Sequence, residues 1–183
     1  DKAVLLSDKA FAGSDTWYTA YALSAALRKD GPFDLVLAGE KATDGETGQV
    51  GPEVAMMLDI PCATFVSNLS LQRATVEITR SIEEGYHRQE LPLPCLLTVL
   101  HDLNDPSMPT LAGKKHARRC DIPIYGAAEL GIPPEQSGLK GSPTRVVHIE
   151  KPTLTRSTEF FSGKELEDGL KRVIALLEES ALI

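Results

Sequence analysis

Residues 34–58 read DLVLAGEKATDGETGQVGPEVAMML, a strand pattern followed by a polar loop and a helix pattern. The apolar run at residues 33–38 predicts a short strand, and the polar residues 40–48 predict a loop. Pro52 suits the first turn of a helix, because a proline lacks the N–H group that has no partner there. A strand, a glycine-containing loop and a helix in this order predict one unit of an α/β fold.

The loop also has the composition of an anion site. The start of a helix offers N–H groups without partners and the positive end of the helix dipole. Glycine lets the backbone approach a ligand, and hydroxyl and amide side chains add donors. The glycines are Gly45, Gly48 and Gly51, and the side-chain donors are Thr43, Thr47 and Gln49. Asp44 and Glu46 would repel a phosphate, so we expect them to cap backbone N–H groups or to hold a ribose hydroxyl. The stretch matches neither GxGxxG nor GxxxxGK[ST], and an ordinary turn stays an equal alternative.

The run Gly39-x-x-Ala42-x-Asp44-Gly45-x-Thr47-Gly48-Gln49-Val50-Gly51-Pro52 closely resembles the nucleotide-binding segment of the β subunit of electron-transfer flavoprotein. The resemblance extends from Asp1 to about Phe161. It implies that residues 42–51 hold the AMP or ADP portion of an adenine nucleotide. Glu40 and Lys41 depart from the family's pattern, which more often has a basic or amide residue at one of these positions, and Lys41 is the nearest candidate for a phosphate partner. The residues that it assigns to the cofactor are Gly39, Lys41, Ala42, Thr43, Asp44, Gly45, Thr47, Gly48, Gln49, Val50 and Gly51.

A second run, GLKGSPTRV at Gly138–Val146, is typical of the electron-bifurcating branch of this family. The resemblance implies that the β subunit of that branch holds a second FAD at the nucleotide-binding segment, residues 39–52. In the simpler branch, the corresponding segment holds AMP. Small residues at Gly45 and Gly48 are compatible with an exit for the ribityl and isoalloxazine groups. We therefore expect FAD, with AMP as the alternative. The local role of Gly138–Val146 does not follow from the sequence.

A turn-rich loop from Leu103 leads into a basic segment, where Thr110 is expected to cap a helix that runs to Arg119. The resemblance implies that this is the recognition loop that docks on acyl-CoA dehydrogenases and related flavoenzymes. Leu111 would be its apolar anchor, although Ala112 stands where the family usually has proline. The basic residues that would steer the partner are Lys114, Lys115, Arg118 and Arg119. The alternative is a solvated helix whose Leu111 faces the core.

The remaining patterns complete a single α/β nucleotide-binding domain over residues 1–150, with a mostly parallel sheet flanked by helices and an antiparallel excursion in the middle. Strands are expected at 3–6, 63–69, 74–79, 86–91, 95–100, 122–125 and 146–149, and a helix at 16–29. Residues 95–100 are apolar on both faces, which predicts a central strand.

Residues 151–183 are expected to form a C-terminal arm and an amphipathic helix from Lys164 to Glu179, capped by Ser162. This helix would either pack on its own sheet or, as the resemblance implies, contact the α subunit. The resemblance begins partway through the family's domain. We therefore expect a chain that lacks the first strand–helix–strand stretch and exposes a sheet edge.

Composition excludes several functions. A net charge of −7 and a pI near 5.1 argue against nucleic-acid binding. No apolar run approaches the length of a membrane span, and the four histidines show no ligand spacing for a metal. Three widely spaced cysteines indicate a reducing compartment, and we expect the cytoplasm.

The sequence supplies no catalytic nucleophile or carboxylate pair. The family resemblance implies electron transfer beside an α subunit and flavin-containing dehydrogenases, with the redox chemistry supplied by FAD. One alternative is a stand-alone nucleotide-binding regulatory domain of the universal-stress-protein type, which gel filtration should reveal as a homodimer. Another is a structural module without a cofactor.

Overall fold

The computed structural model describes residues 2–150 and 158–181. The chain divides into two compact units, Asp1–Val146 and Val147–Ile183. The strands are β1 (Leu5–Leu6), β2 (Leu35–Gly39), β3 (Cys62–Leu71), β4 (Thr75–Ile82), β5 (Gly85–Pro92), β6 (Cys95–Val99) and β7 (Ile124–Tyr125). The helices are α1 (Thr16–Asp30), α2 (Val50–Leu58), α3 (Leu111–Ala117), α4 (Gly138–Gly141) and α5 (Leu166–Glu179).

The main sheet of the first unit has the strand order β2-β6-β3-β4-β5. β2, β6 and β3 run parallel, and β4 and β5 continue the sheet as antiparallel neighbours. This topology confirms the predicted α/β class and its antiparallel excursion. β6 is the middle strand of the parallel part, and Cys95, Leu96, Leu97 and Thr98 are at most 1% exposed. Such burial is expected of a parallel strand that is covered on both faces.

Helices α1 and α2 cover one face of the parallel strands. Ala20 of α1 and Val54 and Ala55 of α2 are buried in one cluster with Leu96 of β6. Asp15 begins α1, and its carboxylate accepts a hydrogen bond from the N–H of Tyr18 at 3.1 Å. In a sheet of this kind, the first turn of a helix that follows a parallel strand lies near the carboxyl edge, which is where ligands bind.

A small second sheet pairs β1 with β7 in parallel. The strand predicted at residues 3–6 is shorter than expected, because β1 contains only Leu5 and Leu6, and it is not buried as its apolar residues would suggest, since Leu5 is 50% exposed. The strand predicted at residues 146–149 was also wrong, because these residues form no ladder. Val146, Val147 and Ile149 are 77%, 85% and 86% exposed. A short apolar run forms a strand only where a neighbouring strand supplies hydrogen bonds and a surface to cover.

The second unit is built around α5. Its apolar residues Leu166, Leu170, Val173 and Ile174 follow the predicted stripe, and each is about half exposed or more. Gly169 is buried against Phe161, where an added Cβ would lie 2.9 Å from the side chain. Ser162 makes no side-chain capping bond, so that prediction was wrong, and a 3-10 turn at Gly163–Glu165 leads into the helix. The predicted arm includes residues 151–157, which lie outside the described residues.

Across residues 2–150 and 158–181, no helix combines the length and the apolar character that crossing a membrane requires. Within the same residues, no group of three or more His, Cys, Asp and Glu side chains is arranged to hold a metal ion.

Candidate functional site

The loop between β2 and α2 has the predicted strand–loop–helix geometry. β2 ends at Gly39, and α2 begins at Val50, which places Pro52 in its first turn, as the sequence predicted. Gln49 is the N-cap residue and makes no side-chain capping bond. The first-turn N–H groups of α2 are therefore left for water or a ligand. Residues 41–47 are all exposed, so the loop presents its donors to solvent.

Two acidic side chains of this loop bond to the loop itself. The Asp44 carboxylate accepts a hydrogen bond from the N–H of Gly45 at 2.8 Å, as expected of a capping residue. Glu46 has a φ of 56° and binds the Lys41 ammonium at 2.8 Å through Oε1. This hydrogen bond and the charge of Glu46 raise the pKa of Lys41, and the same contact lowers the pKa of Glu46. Lys41, the predicted phosphate partner, is therefore already paired within the loop.

The three glycines of the segment have different surroundings. A Cβ added to Gly45 would meet no heavy atom of the described residues within 4 Å, so this position is open among them. Gly48 has a φ of +67°, a conformation that other residues rarely adopt. Gly51 is buried, and its Cβ would lie 2.4 Å from Cγ2 of Thr98 on β6. The contact between helix and sheet alone therefore requires glycine at position 51, whereas no contact among the described residues requires it at position 45.

The first turns of α1 and α2 meet through a pair of side chains that the sequence did not single out. The hydroxyl of Thr16 donates to Oε1 of Glu53 at 3.1 Å. Oε2 of Glu53 is buried and has no hydrogen-bond partner among the residues that the structure describes. The only sequence signal for this contact was an acidic residue in the first turn of a helix, which occurs in many helices.

The segment Gly138–Val146, whose role the sequence left open, packs against the start of α1. Gly138 has a φ of +57°, and a Cβ there would lie 2.3 Å from the carbonyl oxygen of Ala10. A Cβ on Gly141 would lie 2.8 Å from the ring of Tyr18. Both glycines are therefore required by close packing, and this segment has no open position like that of Gly45.

Hydrogen bonds fix the end of this segment to the N-cap of α1. Oδ2 of Asp15 accepts from the N–H of Thr144 at 3.0 Å and from its hydroxyl at 2.9 Å. The N–H of Asp15 donates to the hydroxyl of Ser142 at 2.9 Å. Burial acts to raise the pKa of Asp15, but the hydrogen bonds from Tyr18, Thr144 and Ser142 outweigh it, so the pKa is lowered. We call this group of side chains the Asp15–Thr144 latch.

The predicted docking residues lie on and just after α3. The hydroxyl of Thr110 accepts a hydrogen bond from the N–H of Gly113 at 3.0 Å, which confirms the predicted cap. Leu111 is 71% exposed, so it faces solvent rather than the core. The helix ends at Ala117, before the predicted Arg119. The basic side chains Lys114, Lys115, Arg118 and Arg119 are all exposed.

The predicted residues thus form two separate groups. Residues 39–51 make one continuous loop and helix start, and residues 111–119 make a basic helical surface. In the described part of the chain, no hydrogen bond or ion pair joins the two groups. The sequence did not predict the Thr16–Glu53 pair or the Asp15–Thr144 latch.

Comparison with known proteins relates the chain to one family. The electron transfer flavoprotein domain family matches residues 1–130. Caffeyl-CoA reductase-Etf complex subunit CarD of Acetobacterium woodii is 37% identical over 183 residues, which are 100% of this chain and 70% of that protein. Electron transfer flavoprotein subunit beta of Thermoanaerobacterium thermosaccharolyticum is 38% identical over 184 residues, with the same shares of 100% and 70%.

Protein FixA of Azotobacter vinelandii is also similar, at 40% identity over 159 residues, 83% of this chain and 57% of FixA. These similarities confirm the family resemblance that residues 39–52 indicated.

Proposed function

The chain belongs to the electron transfer flavoprotein domain family, and we propose that it is the β subunit of a heterodimer with a flavoprotein α subunit. Electron transfer is the role of this family, and a flavin or related nucleotide is its class of cofactor. In our proposal the chain exchanges electrons with flavin-containing dehydrogenases. Its free cysteines, Cys62, Cys95 and Cys120, are consistent with a cytoplasmic location.

We assign the adenylate end of the nucleotide to residues 39–51. The observation that carries this assignment is the start of α2, which has no side-chain cap and follows an exposed loop at the end of a parallel strand. Uncapped N–H groups and the helix dipole favour a phosphate there. The exposed hydroxyls of Thr43 and Thr47 and the amide of Gln49 add donors around it.

We propose that the nucleotide is FAD, with AMP as the alternative. FAD extends beyond its diphosphate, so the loop that holds it must leave an open path for the remainder. Gly45 has no heavy atom within 4 Å of its added Cβ, which supports such a path. When bound, FAD supplies the redox chemistry, and the side chains of this loop bind and orient it.

Two measurements on the intact α–β complex test the assignment. Denaturing the complex and separating the released nucleotides should give two FAD per heterodimer, whereas one FAD with one AMP would contradict the choice of FAD. Gly45→Val should then lower nucleotide affinity by on the order of tenfold, because the new side chain occupies space that the fold leaves open. Ala128→Val, at another exposed position, is the matched control. Full nucleotide content in Gly45→Val would mean that the adenylate binds elsewhere.

We further propose that Leu111 and the basic residues after it dock the partner dehydrogenase. An exposed apolar side chain beside positive charges suits a transient contact in which charge speeds the encounter and the apolar group holds the complex. Replacing Lys114, Lys115, Arg118 and Arg119 with glutamine should slow electron transfer and flatten its dependence on salt. Leu111→Ala should weaken docking but keep the salt dependence. Unchanged kinetics in both variants would exclude this surface.

The apolar stripe of α5 is our proposed contact with the α subunit, because Leu170, Val173 and Ile174 remain substantially exposed. Replacing Leu170 with Ser should weaken the heterodimer in analytical ultracentrifugation. Lys171→Ser, on the charged side of the same helix, should leave the heterodimer intact. Equal association constants for the two variants would contradict this role of the stripe.

A further inference from the structure

A cysteine and a histidine lie against each other at the end of α3. Sγ of Cys120 is 3.4 Å from Nε2 of His116 and 3.4 Å from the carbonyl oxygen of the same residue. The two residues are four positions apart, which places their side chains on one face of a helical turn. The N–H of Cys120 donates to the carbonyl of Ala117 at 3.4 Å, so the turn continues past the last residue of α3. The backbone therefore holds the thiol beside the imidazole.

This pair has the parts that an activated cysteine needs. Nε2 of a neutral imidazole accepts a proton when the other ring nitrogen carries the hydrogen. A thiolate is the reactive form of cysteine, and a base within hydrogen-bond reach of the thiol produces it. His116 and Cys120 are both exposed, so a dissolved reagent can reach the sulfur. A nucleophile, its base and open access are thus combined at one point.

The other two cysteines have different surroundings. Cys95 is 0% exposed, and burial raises the pKa of its thiol. Cys62 is an exposed residue of β3, but partial burial of its thiol raises the pKa. A raised pKa leaves less thiolate at neutral pH, which slows the attack of a cysteine on a reagent. Cys62 is therefore an internal comparison, because it is exposed like Cys120 but less prone to react.

The segment that carries the pair is positively charged. Its basic side chains are all exposed, and they are Lys114, Lys115, Arg118 and Arg119. None of these four forms an ion pair with another residue that the structure describes. They outnumber the single negative charge of Asp121, which follows Cys120 in the sequence. In a chain of net charge −7, this segment should attract small anions.

We propose that His116 and Cys120 form a modification site for anionic low-molecular-weight disulfides, of which oxidised glutathione is an example. Oxidised glutathione carries more carboxylate than ammonium groups, so the basic residues of the segment attract it. Because the thiol has its own base beside it, the reaction requires no group from another protein. The product is a mixed disulfide at Cys120, which a free thiol reverses.

The reaction is thiol–disulfide exchange, in which the low-molecular-weight disulfide is the oxidant. Nε2 of His116 takes the thiol proton of Cys120, and the resulting thiolate attacks one sulfur of the disulfide. The S–S bond of the reagent breaks as a new S–S bond forms to Sγ. The departing thiolate takes the proton from the imidazolium and leaves as a thiol. One disulfide and one protein thiol thus give one mixed disulfide and one free thiol.

The modification would regulate the docking surface proposed above, and this consequence alone rests on that proposed function. The adduct adds carboxylates next to Arg118 and Arg119 and lowers the positive charge that speeds the encounter with a partner. We expect the modified protein to transfer electrons to its partner at least twofold more slowly at low salt. The difference should shrink as salt is added.

The test treats the intact protein in its native complex, after reduction and removal of free thiols, with oxidised glutathione at pH 7. Proteolysis and mass spectrometry measure the rate at which each cysteine is modified. Cys120 should react at least tenfold faster than Cys62. Added salt should slow its reaction with oxidised glutathione more than its reaction with uncharged 2-hydroxyethyl disulfide.

Two histidine variants test the role of the base. His116→Gln should slow the modification of Cys120 at least threefold and leave the rate at Cys62 unchanged, which also shows that the variant is folded. His101→Gln, at another exposed histidine, is the matched control and should change neither rate. Equal rates at Cys120 and Cys62, or a smaller effect of His116→Gln, would overturn the proposal. An equal loss in His101→Gln would overturn it as well.

Electron transfer to the partner tests the regulatory consequence separately. Cys120→Ser should remove the effect of oxidised glutathione on this rate and leave the rate without glutathione unchanged. If Cys120 is modified rapidly but electron transfer stays at its original rate, the modification site stands and its regulatory consequence fails. Slow modification of Cys120 in a protein that still docks through its basic residues would remove the modification site and leave the proposed function intact.

Discussion

The loop at residues 40–49 and the segment at residues 138–146 both combine glycine with hydroxyl and basic side chains, yet their glycines have opposite surroundings. A Cβ on Gly45 would meet no heavy atom within 4 Å in the part of the chain that the structure describes. A Cβ on Gly138 would lie 2.3 Å from one carbonyl oxygen and 2.7 Å from another. The first segment leaves its donors to solvent, whereas the second uses Ser142 and Thr144 to hold the N-cap of α1.

This difference separates two reasons for a glycine. Where packed backbone surrounds the position, glycine is needed to build the fold, and no ligand has to be invoked. Where the space is open and the backbone conformation is ordinary, the fold does not require glycine, and a ligand becomes the better explanation. A glycine-rich run is therefore evidence for a phosphate site only after the space around each glycine is known.

The largest effect that we expect is from Gly138→Ala. The new Cβ would clash with the carbonyl of Ala10, and alanine would be strained at a φ of +57°. We predict a loss of about 3 kcal/mol or more in the free energy of unfolding, measured by urea titration. If the variant does not accumulate as soluble protein, the loss exceeds the measurable range. Gly45→Ala is the matched control, and we expect a change within about 0.5 kcal/mol. Similar losses in the two variants would remove the distinction between the segments.

A smaller loss is expected from Gly51→Ala, in the first turn of α2 directly after the loop at residues 40–49. Its Cβ would lie 2.4 Å from Cγ2 of Thr98, a residue that is 1% exposed and cannot move freely. We predict a loss of about 1–3 kcal/mol, because overpacking in a core outweighs the better helix propensity of alanine. Thr98→Ser removes Cγ2 and keeps the hydroxyl that accepts from Phe65.

Gly51→Ala combined with Thr98→Ser should therefore recover most of the stability that Gly51→Ala loses. If Gly51→Ala keeps its stability but loses nucleotide, the glycine serves the ligand rather than the packing of helix on sheet.

These contrasts mark what the sequence can predict. The central strand at residues 95–99 was predictable, because a short run that is apolar on both faces suits a buried parallel strand. The strand–loop–helix unit was predictable because its signals are local. The role of Gly138–Val146 was not predictable, because this segment is hydrogen-bonded to Asp15, which is 127 residues from Ser142 along the chain. The strand predicted at 146–149 failed for a related reason, since a short apolar run does not reveal whether a neighbouring strand exists.

The Asp15–Thr144 latch should contribute less than the glycine contacts. Asp15→Asn keeps the shape of the cap but removes the charge, so we expect a loss of about 1 kcal/mol at pH 7. The folded-state pKa of Asp15 is lowered from its ordinary value of 3.8. The stabilisation is therefore complete above that value and is lost as the pH falls through the lowered pKa.

Urea titrations from about pH 5 to pH 3 should show the gap between the unmodified chain and Asp15→Asn closing. Asp121→Asn, at an exposed position, is the control. A gap that stays constant on acidification would mean that the charge of Asp15 plays no part in the latch.

The smallest effect on stability is expected at Lys41, so nucleotide affinity is the informative measurement there. Its ion pair with Glu46 is exposed, and exposed pairs stabilise a fold little. Lys41→Gln should therefore leave the urea midpoint unchanged, as should Glu46→Gln. If Lys41 is the phosphate partner, as the sequence led us to expect, their effects on nucleotide affinity should have opposite signs, because the first removes this partner and the second frees it. We expect Lys41→Gln to weaken binding roughly two- to fivefold and to reduce its salt dependence, and Glu46→Gln to strengthen binding.

If both variants weaken binding equally, the ion pair shapes the loop and Lys41 does not contact the phosphate. The loop at residues 40–49 would then resemble the segment at residues 138–146, in which polar side chains bind the protein and not a ligand.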